Sequence, residues 1–168
     1  MHKFFLFLLV ISNTAIADTV LDRVAKDELL YMADDNPVMR KAFKVARESL
    51  DEFLKLSTEK SALRANHALK VAITEGLKTE YFWVDGFETK GGDKFIGRIN
   101  NDPNLVKNVE YGQRYEFSRS QIVDWVYLDR MRGKMVGNFT FCALLTQESK
   151  EQAAAAKEQF NLDCSKIE

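Results

Sequence analysis

Cys142 and Cys164 are the chain's two thiols, and their chemistry depends on the compartment around them. In an oxidising space they pair, closing a ring of roughly 23 residues that stabilises by about 3.4 kcal/mol on the loop-entropy model. A zinc site asks for four ligands, and His2 and His67 are the only histidines. Thiol exchange asks for a C-x-x-C pair, which the chain lacks. The thiols therefore favour a structural disulfide, with no metal and no cofactor. His67 is the one base placed for a Ser-His-Asp or Cys-His arrangement, and no G-x-S-x-G elbow accompanies it. It reads as a surface or edge histidine. Gly92 to Ile99 spaces its glycines like a phosphate loop, but Arg98-Ile99 stand where Lys-Ser/Thr are needed.

Carboxylates are the remaining catalytic option. Glu80, Asp85, Glu116, Asp124 and Asp129 lie on or beside predicted strands. Glycoside hydrolysis wants two acids facing each other across a cleft. Asp124 stands apart, because it shares a strand face with Ile122 and Val126 and adjoins Trp125. A buried acid must find hydrogen-bond partners, so a tether to a backbone N–H or to the Trp125 region is its ordinary reading. Tyr81, Trp83, Trp125 and Tyr127, with Asp124 and Asn100, make a candidate aromatic patch for a ligand or partner. Core packing is the competing reading of the two tryptophans.

The N-terminus supplies an address. Residues 1–17 open Met1-His2-Lys3, run from Phe4 to Ile11 without a polar side chain, and end Ala15-Ile16-Ala17. A basic start, a short apolar core and a small-x-small end describe a secretory signal peptide cut after Ala17. The apolar core falls far short of the ~20 residues that span a membrane. The expectation is a periplasmic or secreted protein starting at Asp18, with no membrane span after cleavage. A formal charge of -1 leaves no basic surface for nucleic acid and no polybasic stripe for anionic lipid.

The elements that position these groups follow from periodicity. Leu21, Ala25, Leu29 and Met32 suggest a short, loosely held helix in a segment whose role stays open. Asp35 or Asn36 can cap a second helix, with Pro37 in its first turn. Met39, Ala42, Phe43, Ala46, Leu50, Phe53 and Leu54 recur at three- and four-residue steps, predicting one amphipathic helix over 37–56. The period then drops to two at Leu69, Val71 and Ile73. Glu75-Gly76 turns the chain into a strand over Thr79–Val84, with Tyr81 and Trp83 on one side and Phe82 and Val84 on the other. Further strands are expected after Gly91-Gly92-Asp93, around Tyr115–Phe117, over Ile122–Leu128 and over Met135–Leu145. Gly97, Gly112 and Gly137 mark places where a strand bends or another backbone comes close. Asn100 and Pro103 read as turn residues, the asparagine side chain bonding nearby backbone. Ser149 to Gln152 is a capping box opening an Ala-rich helix over 150–160. Helices flanking turn-linked strands describe one α+β domain over 18–168. Its mostly antiparallel sheet has about five to six strands, between an N-terminal amphipathic helix and a C-terminal helix. Phe43, Leu50, Phe53, Val71, Ile73, Phe82, Phe139 and Phe141 are its expected interior.

Three segments carry a family likeness: Glu80 to Val84, Phe95 to Pro103, and Val109 through Gly112, Tyr115 and Phe117 to Trp125. With the helix from Asp35, Gly137 to Cys142, and Cys164, they resemble the YegJ-like exported bacterial proteins, a domain of unknown function. The resemblance spans most of 34–164. It implies an α+β domain and carries over no activity, cofactor or catalytic residue. Two functions from different classes remain. One is a non-enzymatic exported protein that binds an envelope protein or small ligand, as small inhibitors and immunity factors do by analogy. The other is a small envelope hydrolase pairing Asp124 with Glu80 or Glu116.

Overall fold

The structure, a computed structural model, describes residues 36–59 and 61–168. The predicted leader, the segment over 18–33 and the alternative cap Asp35 lie outside the described residues. Asn36 caps the first helix, α1 (Pro37–Glu48), its Oδ1 accepting from Val38 N–H at 2.8 Å and Met39 N–H at 3.2 Å. The helix expected over 37–56 is two helices, α1 and α2 (Leu50–Thr58), interrupted at Ser49. The Ser49 hydroxyl donates to the Val45 carbonyl at 2.6 Å. Such back-bonding competes with the helical ladder and bends its path. Met39, Ala42, Ala46, Leu50 and Phe53 are buried, whereas Phe43 is only partly buried at the edge of the interior.

Six strands follow: β1 (Arg64–Glu75), β2 (Lys78–Gly91), β3 (Lys94–Ile99), β4 (Arg114–Ser118), β5 (Ile122–Asp129) and β6 (Lys134–Gly137). They form one antiparallel sheet in the order β4-β3-β2-β1-β5-β6. Strands β1 to β4 are a meander, and the chain then crosses to the other side of β1. The crossing is a single 3₁₀ turn, Arg119–Gln121, whose Gln121 Nε2 donates to the Ala72 carbonyl at 3.1 Å. In a flat sheet β4 and β5 would stand about 19 Å apart. The chain from Ser118 to Ile122 reaches at most about 14 Å. The sheet must therefore curl to bring the end of β4 to the start of β5.

Cross-strand partners share a face, so β1 sorts the sheet into two faces. Leu69, Val71 and Ile73 lie opposite Val84, Phe82 and Glu80 on β2, and Leu69 lies opposite Trp125 on β5. Lys70 and Ala72 lie opposite Trp83 and Tyr81, and Lys70 also opposite Asp124. On the first face Leu69, Val71, Ile73, Phe82 and Val84 are fully buried. Gly97 fits against Val84 so closely that a Cβ there would collide with the valine side chain.

The strand expected over Met135–Leu145 ends early. Gly137 (φ 91°) and Asn138 (φ 51°) both leave the extended region, and residues 139–145 form helix α3 (Phe139–Leu145). Every residue of α3 is buried, so it shows no one-sided periodicity that distinguishes a helix from a buried strand. Helix α3 packs chiefly against α1. Asn138 N–H donates to the Trp125 carbonyl at 2.8 Å, and Thr140 N–H to the Asp124 carboxylate at 2.8 Å. Ser149 and Gln152 form the expected capping box at the start of α4 (Lys150–Gln159). The tail beyond returns to β6 through a parallel bridge between Met135 and Leu162. Cys142 on α3 is joined to Cys164 in this tail, with Cα atoms 5.5 Å apart. No helix among the described residues is long and apolar enough to cross a membrane.

Candidate functional site

Asp124 is fully buried and shares its face with Val126, but not with Ile122 as the alternation suggests, because the β1–β5 register slips between Lys70 and Val71 and puts Ile122 opposite Val71 on the other face. Its Oδ1 accepts from Trp125 N–H at 2.8 Å, and its Oδ2 from Thr140 N–H at 2.8 Å and the Thr140 hydroxyl at 2.7 Å. Across the ladder, Lys70 is also buried, and its Nζ donates to Thr140 Oγ1 at 2.9 Å. The same ammonium lies 4.9 Å from the centre of the Trp83 ring, a cation–π distance. Burial pushes the Asp124 carboxyl above its usual range, while Lys70, Thr140 and Trp125 pull the other way. Three of its lone pairs are engaged inside the fold. The tether read from the sequence is a connection between β5 and the start of α3.

Glu80 is a second fully buried acid. Its Oε1 accepts from Asn104 N–H at 2.8 Å, and its Oε2 from Leu105 and Val106 N–H at 2.8 and 3.0 Å. Three consecutive backbone donors converge on one carboxylate and hold the loop between β3 and β4 to the sheet, burying Val106 and Val109. Setting Asp124 alone apart from the other strand acids missed Glu80 as a second interior acid. The signal was present, because Glu80 shares the period-two face of Phe82 and Val84. The same loop grips β2 again one residue from where the sequence suggests. Asn101 Oδ1 accepts from Trp83 N–H at 2.8 Å, and Asn100, whose side chain is exposed, gives its backbone N–H to the Trp83 carbonyl.

The aromatic patch divides between the faces. Trp83, Tyr81 and Asp124 belong to the Lys70 face, where Trp83 and Tyr81 are half-buried. Trp125 belongs to the Leu69 face and stacks on Phe53 at 4.8 Å, its indole N–H donating to the Ala46 carbonyl at 3.1 Å. Tyr127 stacks beside Trp125 at 6.0 Å. Trp125 and Tyr127 are core, tying α1 and α2 to β5. Glu116 and Asp85 are engaged at the surface, with Lys90 at 3.6 Å and Arg98 at 2.9 Å. Asp129 caps the β5–β6 turn by accepting from Met131 and Arg132 N–H.

Among the described residues no three His, Cys, Asp or Glu side chains converge as metal ligands. His67 lies on β1 at an open groove of about 730 Å³ that also takes in the end of α2 and the middle of β2. Sequence reasoning placed no site there, because the groove joins three segments that are separate in the chain.

Comparison with known proteins agrees with the fold's boundaries. Residues 36–164 match the family model described as an uncharacterized protein conserved in bacteria, DUF2314. The chain is 38% identical over 128 residues to the uncharacterized protein YegJ of Escherichia coli (strain K12), covering 76% of this chain and 80% of that protein. No solved structure matches the chain. The matched span runs from the cap of α1 to Cys164 and includes both buried acids and both cysteines. The chain belongs to this bacterial family.

Proposed function

We propose that this chain is an exported, non-enzymatic binding protein of the cell envelope. The observation that carries this reading is the placement of the two interior acids. Glu80 lies opposite Ile73 and Asp124 opposite Lys70. Residues three apart on one strand point to opposite faces, so these carboxylates do not share a cleft. Both are fully buried and bonded within the fold, and Glu116 is exposed beside Lys90. Paired-carboxylate hydrolysis needs two acids facing one substrate bond. Binding needs only an accessible surface, and half-exposed Trp83 over buried Lys70, with half-exposed Tyr81 on the same face, supports that role.

The signal-like N-terminus and the Cys142–Cys164 pair support an oxidising address. The test is affinity capture from envelope extract with wild type and Trp83→Ala in parallel, together with the intact mass of the exported protein. The reading expects a mass beginning at Asp18 and a partner retained by wild type and lost with Trp83→Ala. Cytoplasmic full-length protein would overturn the address. Turnover of a glycan or ester substrate that disappears with Glu116→Gln would overturn the binding role.

A further inference from the structure

The sheet's two edge strands end differently. Along β6, Met135 gives its N–H to the Asn161 carbonyl at 2.8 Å and accepts from Asp163 N–H at 3.0 Å, so the C-terminal tail covers that edge. Along β4, β3 is the only described element that packs against the strand. The ladder decides which backbone groups of β4 are left open. Ile99 N–H donates to the Gln113 carbonyl at 2.9 Å, and Arg119 N–H to the Asp93 carbonyl at 2.8 Å. The β3–β4 register runs unbroken between them, so the hydrogen-bonded pairs alternate through Gly97–Tyr115 and Phe95–Phe117. Arg114, Glu116 and Ser118 therefore turn their N–H and C=O groups outward. Gln121 Oε1 takes the Ser118 N–H at 2.9 Å, leaving both groups of Arg114 and Glu116 open among the described residues.

An open edge is a template for another strand, and folds that keep it single use prolines, bulges or repelling charges. Strand β4 has no proline and no slip against β3, and its open positions carry one charge of each sign. Antiparallel to its own copy, β4 matches outward groups to outward groups in three registers centred on residues 114–116. One sets Arg114 opposite Arg114, and one sets Glu116 opposite Glu116. The third sets Arg114 opposite Glu116 on both sides of a twofold axis at Tyr115. Opposite charges across a ladder stabilise and like charges destabilise, so charge selects the third. We infer that β4 is a dimerisation edge, at which two copies of this chain join their sheets in that register.

Neighbouring charges fit the same arrangement. Glu88 lies 3.5 Å from Arg114, and Lys90 lies 3.6 Å from Glu116, all four side chains being exposed. Such pairs are weak in water and leave both β4 charges able to reach across the axis. The join extends them into a row of alternating sign: Glu88, Arg114, then Glu116 and Lys90 of the second copy. Antiparallel pairing also carries Tyr111, exposed just ahead of β4, toward the far end of the second strand. Because the tail covers β6, assembly closes at two copies instead of growing into a fibre.

The test is sedimentation of the purified protein at increasing concentration, alongside Arg114→Glu, Glu116→Arg and the two variants mixed. Wild type should dimerise. Each variant alone makes all three registers like-charged and should weaken the dimer about thirtyfold, as attractive cross-strand pairs become repulsive. The mixture should dimerise again, because one variant brings acids and the other bases to the same positions. Melting curves check that each variant is folded. Hydrogen exchange at Arg114 and Glu116 should slow as wild type is concentrated, while Tyr115 and Phe117, already bonded to β3, stay as they are. A monomeric wild type, a dimer no weaker in either folded variant, or folded variants that do not reassociate when mixed would overturn the proposal. Protection of Arg114 and Glu116 at every dilution would overturn it too, since another segment of the same chain would then cover the edge.

Discussion

Glu80 and Asp124 each bury a whole carboxylate, and each fastens a segment that has left the sheet. Glu80 takes three backbone N–H groups in a row from the loop after β3. Asp124 takes two N–H groups and a hydroxyl where β5 meets α3, with Lys70 bonded to the same hydroxyl. The loop is held by non-covalent contacts alone. Helix α3 is held twice, because Thr140 reaches Asp124 and, two residues on, Cys142 is bridged to Cys164. Among the described residues, those at 104–106 take their side-chain hold from Glu80 alone, the loop's grips on Trp83 coming earlier, at Asn100 and Asn101. The double tie at α3 spreads its hold.

The largest effect should follow the Glu80 tie. Glu80→Ala removes a charged acceptor and leaves three amide donors unserved, which should cost about 4 kcal/mol. Hydrogen exchange should rise first over residues 104–106, with α3 little changed. Equal loosening of both regions would show that the loop is not organised by Glu80. Replacing both cysteines by alanine comes next, at about 3.4 kcal/mol on the loop-entropy model. Residues beyond Ser149 should exchange faster while α3 stays protected, because Asp124 and Thr140 remain. The tail has its own holds, since Leu162 and Ile167 are buried and Phe160 meets Phe141 at 5.5 Å. A tail indifferent to the loss would show that these contacts suffice.

Asp124→Ala should cost about 3 kcal/mol, because the buried Trp125 and Thr140 N–H groups and the Thr140 hydroxyl lose their acceptor. Its pH dependence tests the balance at the site. With the folded-state pKa raised, burial stabilises the protonated form. That contribution is fully present below the unfolded value of about 3.9 and is lost as pH rises through the folded pKa. The stability gap between wild type and Asp124→Ala should therefore widen on acidification in urea melts. A narrowing gap would mean that Lys70 outweighs desolvation. His67 should give the smallest effect, with the opposite course. Its lowered folded pKa means stability is lost as pH falls from about 6.5 through the folded value. His67→Phe should flatten this shallow slope, and an unchanged slope would assign it to another group.

Much of the local structure was legible in the chain. Asn36 and Pro37 announce α1, Ser149 and Gln152 announce α4, and the alternation at Leu69, Val71 and Ile73 announces β1. Asp124 was legible as a tether from its apolar strand neighbours. Ser49 was not legible as a break, because the apolar stripe runs through it while a single hydroxyl competes with the ladder. Helix α3 was hidden because burial on every side removes the polar face that reveals a period. Periods and caps act over a few residues, so the sequence by itself determined most element types and one interior acid. Which residues share a face is set by strand register, and register depends on partners far along the chain. Only the tertiary structure could therefore set Trp83 apart from Trp125, bring residues 104–106 to Glu80, and place His67 beside the end of α2.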